Sequence, residues 1–190
     1  MSKKTREIIG VIALALVLVL LIGGRNNVVN AYEDVKLAEA KVQTMLQRRS
    51  DLIPNLVNVV KAYADHEETV FTEIAESRAK LANSINNSSM SEMVEADAEL
   101  SQALSKLLVL VESYPELKAS EQFINLQYEI AGSENRINIA RIDYNEAVMK
   151  YNKYIKMFPG IVYARFFEYD EMPYFEAEYG AEKAPVVNFD

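Results

Sequence analysis

Cysteine and tryptophan are absent from this 190-residue chain, and it contains a single histidine, His66. Without cysteine it has no disulfide framework, no thiolate metal site and no cysteine nucleophile. Its six glycines and five prolines are too few for the many tight turns of an all-β sandwich. The 28 acidic residues outnumber the 20 basic ones, for a net charge of −8, which argues against nucleic-acid binding.

The sequence offers no catalytic constellation. Neither Glu-x-x-His motif of a di-iron bundle can be built, because Tyr63 stands three residues before the lone His66. His66-Glu67 begins like the zinc-protease HExxH motif, but Val70 occupies the place of the second histidine. The glycines form neither a P-loop nor a dinucleotide-binding turn, and no serine lies in G-x-S-x-G. We therefore expect no enzyme activity, no cofactor and no bound transition metal; an oxygen-only Mg²⁺ or Ca²⁺ site remains an alternative, at Glu67, Glu112 or Glu134.

Residues 8–24, IIGVIALALVLVLLIGG, carry no charged or strongly polar side chain. As a helix this run is about 26 Å long, at the short end of what spans a bilayer core. The alternative is a cleaved signal peptide, whose apolar core is normally about 7–15 residues long. We expect an uncleaved single-pass anchor in the cell membrane. Lys3, Lys4 and Arg6 precede it, which favours a cytoplasmic N-terminus and an extracytoplasmic domain.

Beyond Arg25, apolar residues recur at helical spacings of three, four and seven. Pro54 interrupts the first long pattern, and with Asp51 as a plausible cap we expect a kink or a helix restart near 51–54. The polar stretch 83–91 predicts a loop. A further helix is expected to follow and to stop at Tyr114-Pro115. Its predicted inward-facing residues are Val94, Ala98, Leu100, Leu104, Leu107, Leu108 and Val111.

A last helix is predicted from Ser120, its cap, to Phe158. The resulting fold class is all-α, with the N-terminal transmembrane helix followed by an elongated antiparallel helical bundle. The predicted divisions are a short basic flank (1–7), the anchor (8–24), the bundle (25–160) and a C-terminal tail (161–190). That tail holds eight of the chain's aromatic residues and seven acids, and we expect an extended segment that packs on the bundle.

Five charged or polar residues interrupt the apolar registers: Arg49, His66, Glu67, Glu134 and Arg141. An unpaired charge inside a bundle is costly, so we expect these side chains to pair across helices or to reach its edge. The structural interpretation is a network that fixes helix register. The functional alternative is a proton-handling or ligand-binding cluster.

Several sequence motifs follow the anchor in order. The first is Gln47-Arg48-Arg49-Ser50-Asp51-Leu52-Ile53-Pro54-Asn55-Leu56-Val57. The next are Glu112-Ser113-Tyr114-Pro115-Glu116-Leu117-Lys118-Ala119, then Tyr144-Asn145 and Tyr151-Asn152, and the last is Tyr174-Phe175-Glu176 in the tail. With the anchor, these motifs make the chain resemble the LemA family of bacterial membrane-anchored helical proteins over nearly its whole length. The Asn55 side chain could hydrogen-bond the backbone groups that lose their helical partner at Pro54. The asparagines at 145 and 152 would bond a facing helix or present a polar ladder to a partner.

The resemblance implies a long antiparallel helical bundle behind one membrane anchor, and a family whose activity is not settled. Its members often occur near membrane metalloproteases and envelope-stress functions, and related proteins occur in magnetosome membranes. These associations suggest a non-enzymatic scaffold, adaptor or assembly module that has protein partners or self-associates. The alternative function is a membrane-tethered sensor or ligand-binding domain that uses the polar cluster or the aromatic tail.

Overall fold

A computed structural model describes residues 3–64, 66–87 and 89–175; within helix, the side chains at 3, 5, 7 and 13–22 are not described. The helices are α1 (Lys3–Lys61), α2 (Glu68–Asn86), α3 (Met90–Val111), α4 (Pro115–Lys118), α5 (Glu121–Lys156) and α6 (Gly160–Phe167). None of the described residues lies in a strand. The all-α prediction is therefore confirmed.

The chain divides into two compact units. Unit 1 comprises the described residues of Met1–Glu39 and Asp143–Tyr174, and unit 2 those of Ala40–Ile142 together with Phe175. Within unit 2, α2 and α3 run antiparallel, since Lys80 pairs with Glu99 and Lys106 pairs with Glu73. The predicted boundaries at residues 7, 24 and 160 remain predictions.

Unit 2 has an apolar core built from the predicted helical registers. Its buried side chains include Leu46, Ile53, Leu56 and Val60 of α1, Ile74 and Leu81 of α2, Leu100, Leu104 and Leu107 of α3, and Ile137 of α5. Each such side chain contributes about 1.5–3 kcal/mol on burial. On α3 the predicted inward set is partly wrong: Met93, Ala96 and Asp97 are buried, whereas Val94 and Ala98 are half-buried and Leu108 is exposed.

The helix restart expected near 51–54 does not occur, because α1 continues through Pro54 to Lys61. Proline lacks the N–H that would bond the carbonyl four residues earlier, which here belongs to Ser50. Arg78 of α2 donates its Nε–H to that carbonyl oxygen at 3.0 Å. Asp51 is no cap; its carboxylate accepts a 2.8 Å hydrogen bond from Gln47, one turn earlier on the exposed side of α1.

The connection between α2 and α3 is shorter than the loop predicted over 83–91. α2 extends to Asn86 and α3 begins at Met90. Ser89 caps α3, since its hydroxyl accepts a hydrogen bond from the backbone N–H of Glu92. The stop at Tyr114-Pro115 is confirmed, because Pro115 opens the single turn of α4.

The predicted extended tail begins instead with a helix, α6, over Gly160–Phe167. This helix ends at Glu168, which adopts the left-handed conformation with a φ of 56°. Residues 168–175 follow without helix, while the part of the predicted tail at 176–190 lies outside the described residues. Residues 160–167 form a helix because they lack proline and because the buried side chains of Tyr163 and Ala164 lie on one face of it.

The predicted anchor, residues 8–24, forms part of α1. The side chains at 13–22 of this run lie outside the described residues, and those of Ile8, Ile9, Val11 and Ile12 are exposed. Among the residues that the structure describes, no helix combines the length and the apolar character needed to cross a membrane.

Candidate functional site

Four charged side chains from three helices meet in the core of unit 2. We call Arg49 of α1, Asp97 of α3, and Glu134 and Arg141 of α5 the charge cluster. Arg49 replaces an apolar residue in the α1 register, and Glu134 and Arg141 lie seven residues apart on one face of α5. Asp97 is 1% exposed, so the centre of the cluster is a buried carboxylate.

Asp97 is held between the two arginines. Arg49 Nη1 lies 2.8 Å from Asp97 Oδ1, and Arg141 Nη2 donates to Asp97 Oδ2. Arg49 Nη1 also forms an ion pair with Glu134 Oε2 at 2.8 Å. Its Nη2 donates at 3.0 Å to the Ser101 hydroxyl, which in turn donates to the Asp97 carbonyl one turn earlier.

The charge cluster is electrically neutral, with two guanidinium groups facing two carboxylates. Burial raises the pKa of Asp97 above its ordinary value of 3.8, while the charges of Arg49 and Arg141 act in the opposite direction. Arg141 also stacks on the Phe175 ring, with its guanidinium carbon 4.5 Å from the ring centroid. Among the described residues, the Nε–H groups of the two arginines have no hydrogen-bond acceptor.

Such a neutral buried network is suited to fixing helix positions. An isolated charge at this depth costs several kcal/mol, and removing one partner of a buried pair costs about 3–5 kcal/mol. α1, α3 and α5 therefore adopt the register in which Asp97 meets both arginines. Because each carboxylate faces a guanidinium, the cluster presents no poised general base.

His66 and Glu67 do not join the charge cluster. α1 ends at Lys61, and the backbone N–H groups of Tyr63 and Ala64 both bond the Val60 carbonyl in a tight turn. The helical register that would have pointed residues 66 and 67 inward therefore stops before it reaches them. His66 is exposed and Glu67 is half-buried next to the start of α2.

A second polar set lies in unit 1, where α5 holds the segment that follows α6. The hydroxyls of Tyr144 and Tyr151 donate to the carbonyls of Pro173 and Asp170 at 3.0 and 2.9 Å. Asn152 forms a paired contact with Met172, donating to its carbonyl at 2.8 Å and accepting from its N–H at 2.9 Å. The amide at 152 thus bonds the backbone of this segment rather than a facing helix.

Burial raises the pKa of both tyrosines in this set. It raises the pKa of Tyr144 to about 12, with a smaller contribution from the Glu39 carboxylate. Burial also raises the pKa of Tyr151. Both phenols are therefore neutral donors at physiological pH. Asn145, the other predicted amide, is half-buried.

Asn55 differs from its expected role, whereas Tyr114 and Pro115 do not. Asn55 is exposed, and the backbone carbonyl freed by Pro54 is bonded by Arg78 instead. Tyr114 precedes α4 and is half-buried, with Pro115 at the first helical position, as their predicted turn requires.

Sequence analysis missed Asp97, Ser101 and Arg78. Asp97 lies four residues after Met93 and three before Leu100, so a search for charges on the 93-100-104-107 stripe would have found it. Ser101 follows one turn later. In the part of the chain that the structure describes, no group of three or more His, Cys, Asp or Glu side chains could hold a metal ion.

Comparison with known proteins identifies related chains. The model of the LemA family matches residues 38–189. The chain is 23% identical to magnetosome protein MamQ of Magnetospirillum gryphiswaldense, over 94% of this chain and 74% of that protein. It is likewise 23% identical to magnetosome protein MamQ 2 of Paramagnetospirillum magneticum, over 95% and 74%. Protein LemA of Metamycoplasma hominis is 24% identical, over 72% of this chain and 62% of that protein.

Proposed function

The chain belongs to the LemA family, and from this premise we propose that it is a membrane-anchored, non-enzymatic assembly module that self-associates through α5. The apolar run at 8–24 supports the anchor, which would fix the helical domain at the cell membrane. The charge cluster supports a non-enzymatic role, because both of its carboxylates are engaged by arginines, Asp97 in the core and Glu134 at its edge. In this proposal the functional surface is the outside of the helices.

The observation that carries the proposal is an exposed apolar stripe on the unit 2 part of α5. Ile124, Tyr128, Ile139 and Ile142 fall within about 60° of one another around the helix. Tyr128 is 74% exposed, and Ile139 and Ile142 are each 60% exposed. Large apolar residues aligned on the outside of a helix are typical of a protein-binding face.

A second copy of this chain is the partner that fits the stripe. The stripe is nearly symmetric about residue 133, so in an antiparallel α5 pair Ile124 would meet Ile142 of the other copy and Tyr128 would meet Ile139. Glu129 and Arg136 are exposed on the same flank of the stripe, on opposite sides of its centre. Residues on one flank face each other in an antiparallel pair, so the two-fold arrangement gives two Glu129–Arg136 ion pairs.

Single-cysteine crosslinking tests this proposal, because the native chain has no cysteine. Asn135 is exposed on the stripe close to the symmetry axis. With Asn135→Cys we expect the full-length protein in membranes to form a disulfide-linked dimer on mild oxidation. Ser105→Cys, on the exposed side of α3, is the matched control and should stay monomeric. Adding Ile139→Glu to Asn135→Cys should abolish the dimer.

A charge swap tests the geometry independently. Glu129→Arg should weaken dimer formation by like-charge repulsion against Arg136, and the double variant Glu129→Arg/Arg136→Glu should restore it. If Asn135→Cys crosslinks no better than Ser105→Cys, the self-association proposal is wrong. If it crosslinks but the double variant gives no rescue, the antiparallel pairing is wrong.

A further inference from the structure

The exposed side of α6 is apolar although it lies on the surface of unit 1. Gly160, Tyr163 and Ala164 are buried against the unit. The opposite side carries Phe166, 80% exposed, together with Ile161 and Val162, and Phe158, 83% exposed, lies in the turn just before the helix. A short helix that is apolar on both sides leaves a surface that water does not solvate well.

This apolar side lies where the predicted anchor ends. The Tyr163 ring packs on Gly24, leaving no room there for a Cβ atom, and Tyr154 donates to the Gly24 carbonyl at 3.5 Å. An apolar cleft of ≈ 440 Å³ runs between Gly23-Gly24 and Phe158-Val162. α6 is thus held at the last residue of the apolar run 8–24.

Basic groups border the same apolar side. The Arg25 guanidinium stacks on the Phe167 ring, 5.3 Å from its centroid, and Arg165 is exposed between the apolar residues of α6. Lys156, on the last turn of α5, pairs with Glu171 at 2.7 Å. In a chain with a net charge of −8, the two arginines beside the apolar and aromatic residues of α6 are typical of a surface that meets anionic lipid headgroups.

We infer that α6 and Phe158 form a bilayer-docking surface, which lies in the headgroup region with Phe158, Val162 and Phe166 towards the acyl chains. This inference rests on the proposed membrane anchor, because α6 is held beside its last residues. An interfacial helix of this kind inserts about 5–10 Å. Docking would fix the orientation of unit 1 at the membrane surface, which a flexible tether would not do.

Tryptophan fluorescence tests the inference, since the native chain contains no tryptophan. Full-length Phe166→Trp is reconstituted in vesicles of phosphatidylcholine and phosphatidylglycerol, with and without acyl chains brominated near the headgroup. We expect blue-shifted emission and strong quenching by the brominated lipid. The matched control is Tyr128→Trp, also highly exposed but on α5 of unit 2, which should emit as in water and resist quenching.

A third reporter separates failure of the docking surface from failure of the anchor. Ile12→Trp lies in the apolar run and reports whether that run enters the bilayer. If Ile12→Trp is quenched and Phe166→Trp is not, the docking inference is overturned and the anchor stands. If neither is quenched, both fail. Equal quenching of Tyr128→Trp and Phe166→Trp also overturns the inference, because lipid contact would then not be specific to α6.

Discussion

Arg78 and Ser50 are joined by a hydrogen bond that replaces one missing from helix α1. The carbonyl of Ser50 would accept from the residue four positions on, which is Pro54 and has no N–H. The Nε–H of Arg78 fills that place at 3.0 Å, and Ser50 is buried. A proline that would otherwise break α1 is accommodated by a side chain from the neighbouring helix.

The first prediction concerns this pair. Arg78→Ala leaves a buried carbonyl without a donor and should lower the free energy of unfolding by about 1–3 kcal/mol. In a Pro54→Ala background the same change should cost less, because the N–H of the new alanine can bond Ser50 directly. A double-mutant cycle from urea unfolding measures the coupling. Equal costs in the two backgrounds would show that Arg78 does not act through the Ser50 carbonyl.

The second prediction concerns the charge cluster. Arg49→Ala removes one of the two arginines that hold Asp97 and should destabilise the protein by about 3–5 kcal/mol. Lys106→Ala, which breaks the exposed ion pair with Glu73, should cost at most about 1 kcal/mol. Chemical unfolding of both variants under one set of conditions gives the comparison. Similar losses of unfolding free energy in the two variants would mean that the charge cluster stabilises the protein no more than an exposed ion pair does.

The third prediction is the pH dependence that Asp97 contributes. Its pKa is higher in the folded state than the ordinary 3.8, so the folded state binds this proton more tightly than the unfolded state does. This contribution is full below pH 3.8 and is lost as the pH rises through the folded-state pKa. The stability difference between the native chain and Asp97→Asn should therefore fall with rising pH across that window. Parallel stability curves would contradict the shift.

The fourth prediction concerns Tyr144. Because its pKa is raised to about 12, Tyr144 should ionise well above pH 10, the ordinary value of a phenol. The difference between ultraviolet titrations of the native chain and of Tyr144→Phe isolates it, and should show a step near pH 12. Because the pKa of Tyr144 is higher in the folded state than in the unfolded state, its protonated phenol stabilises the fold. This stabilisation is lost as the pH rises from 10 to 12. A step at pH 10 would show that the hydroxyl is not held in the buried bond to Pro173.

The sequence predicts the helices and most of their breaks because apolar spacing and proline act locally. α3 has apolar residues on adjacent faces, so apolar spacing alone places Val94, Ala98 and Leu108 in the inward set although they are half-buried or exposed. Asp97 lies on the same face as Leu100 and Leu104, but a search for apolar residues omits it because it is acidic. The role of Arg78 could not be predicted either, since the carbonyl that it bonds belongs to another helix.

α6 is difficult to predict for another reason. Its proline-free stretch is short, and apolar residues lie on its exposed side as well as on its buried side, so the sequence does not show which side faces inward. The charges at 49, 134 and 141 were expected to find partners, because burying them alone is costly. Asp97, the common partner of Arg49 and Arg141, lies on α3, and only the packing of α1, α3 and α5 brings the three side chains together.

The paired contact between Asn152 and Met172 involves the backbone of residue 172 and not its side chain. The side-chain amide here takes the place that a neighbouring strand would occupy, supplying one donor and one acceptor. Any residue that keeps its N–H can make this contact at position 172, and proline is the substitution that the contact would reject. The path of the chain over α5 is thus fixed at this position by the backbone, independently of the side chain that the position carries.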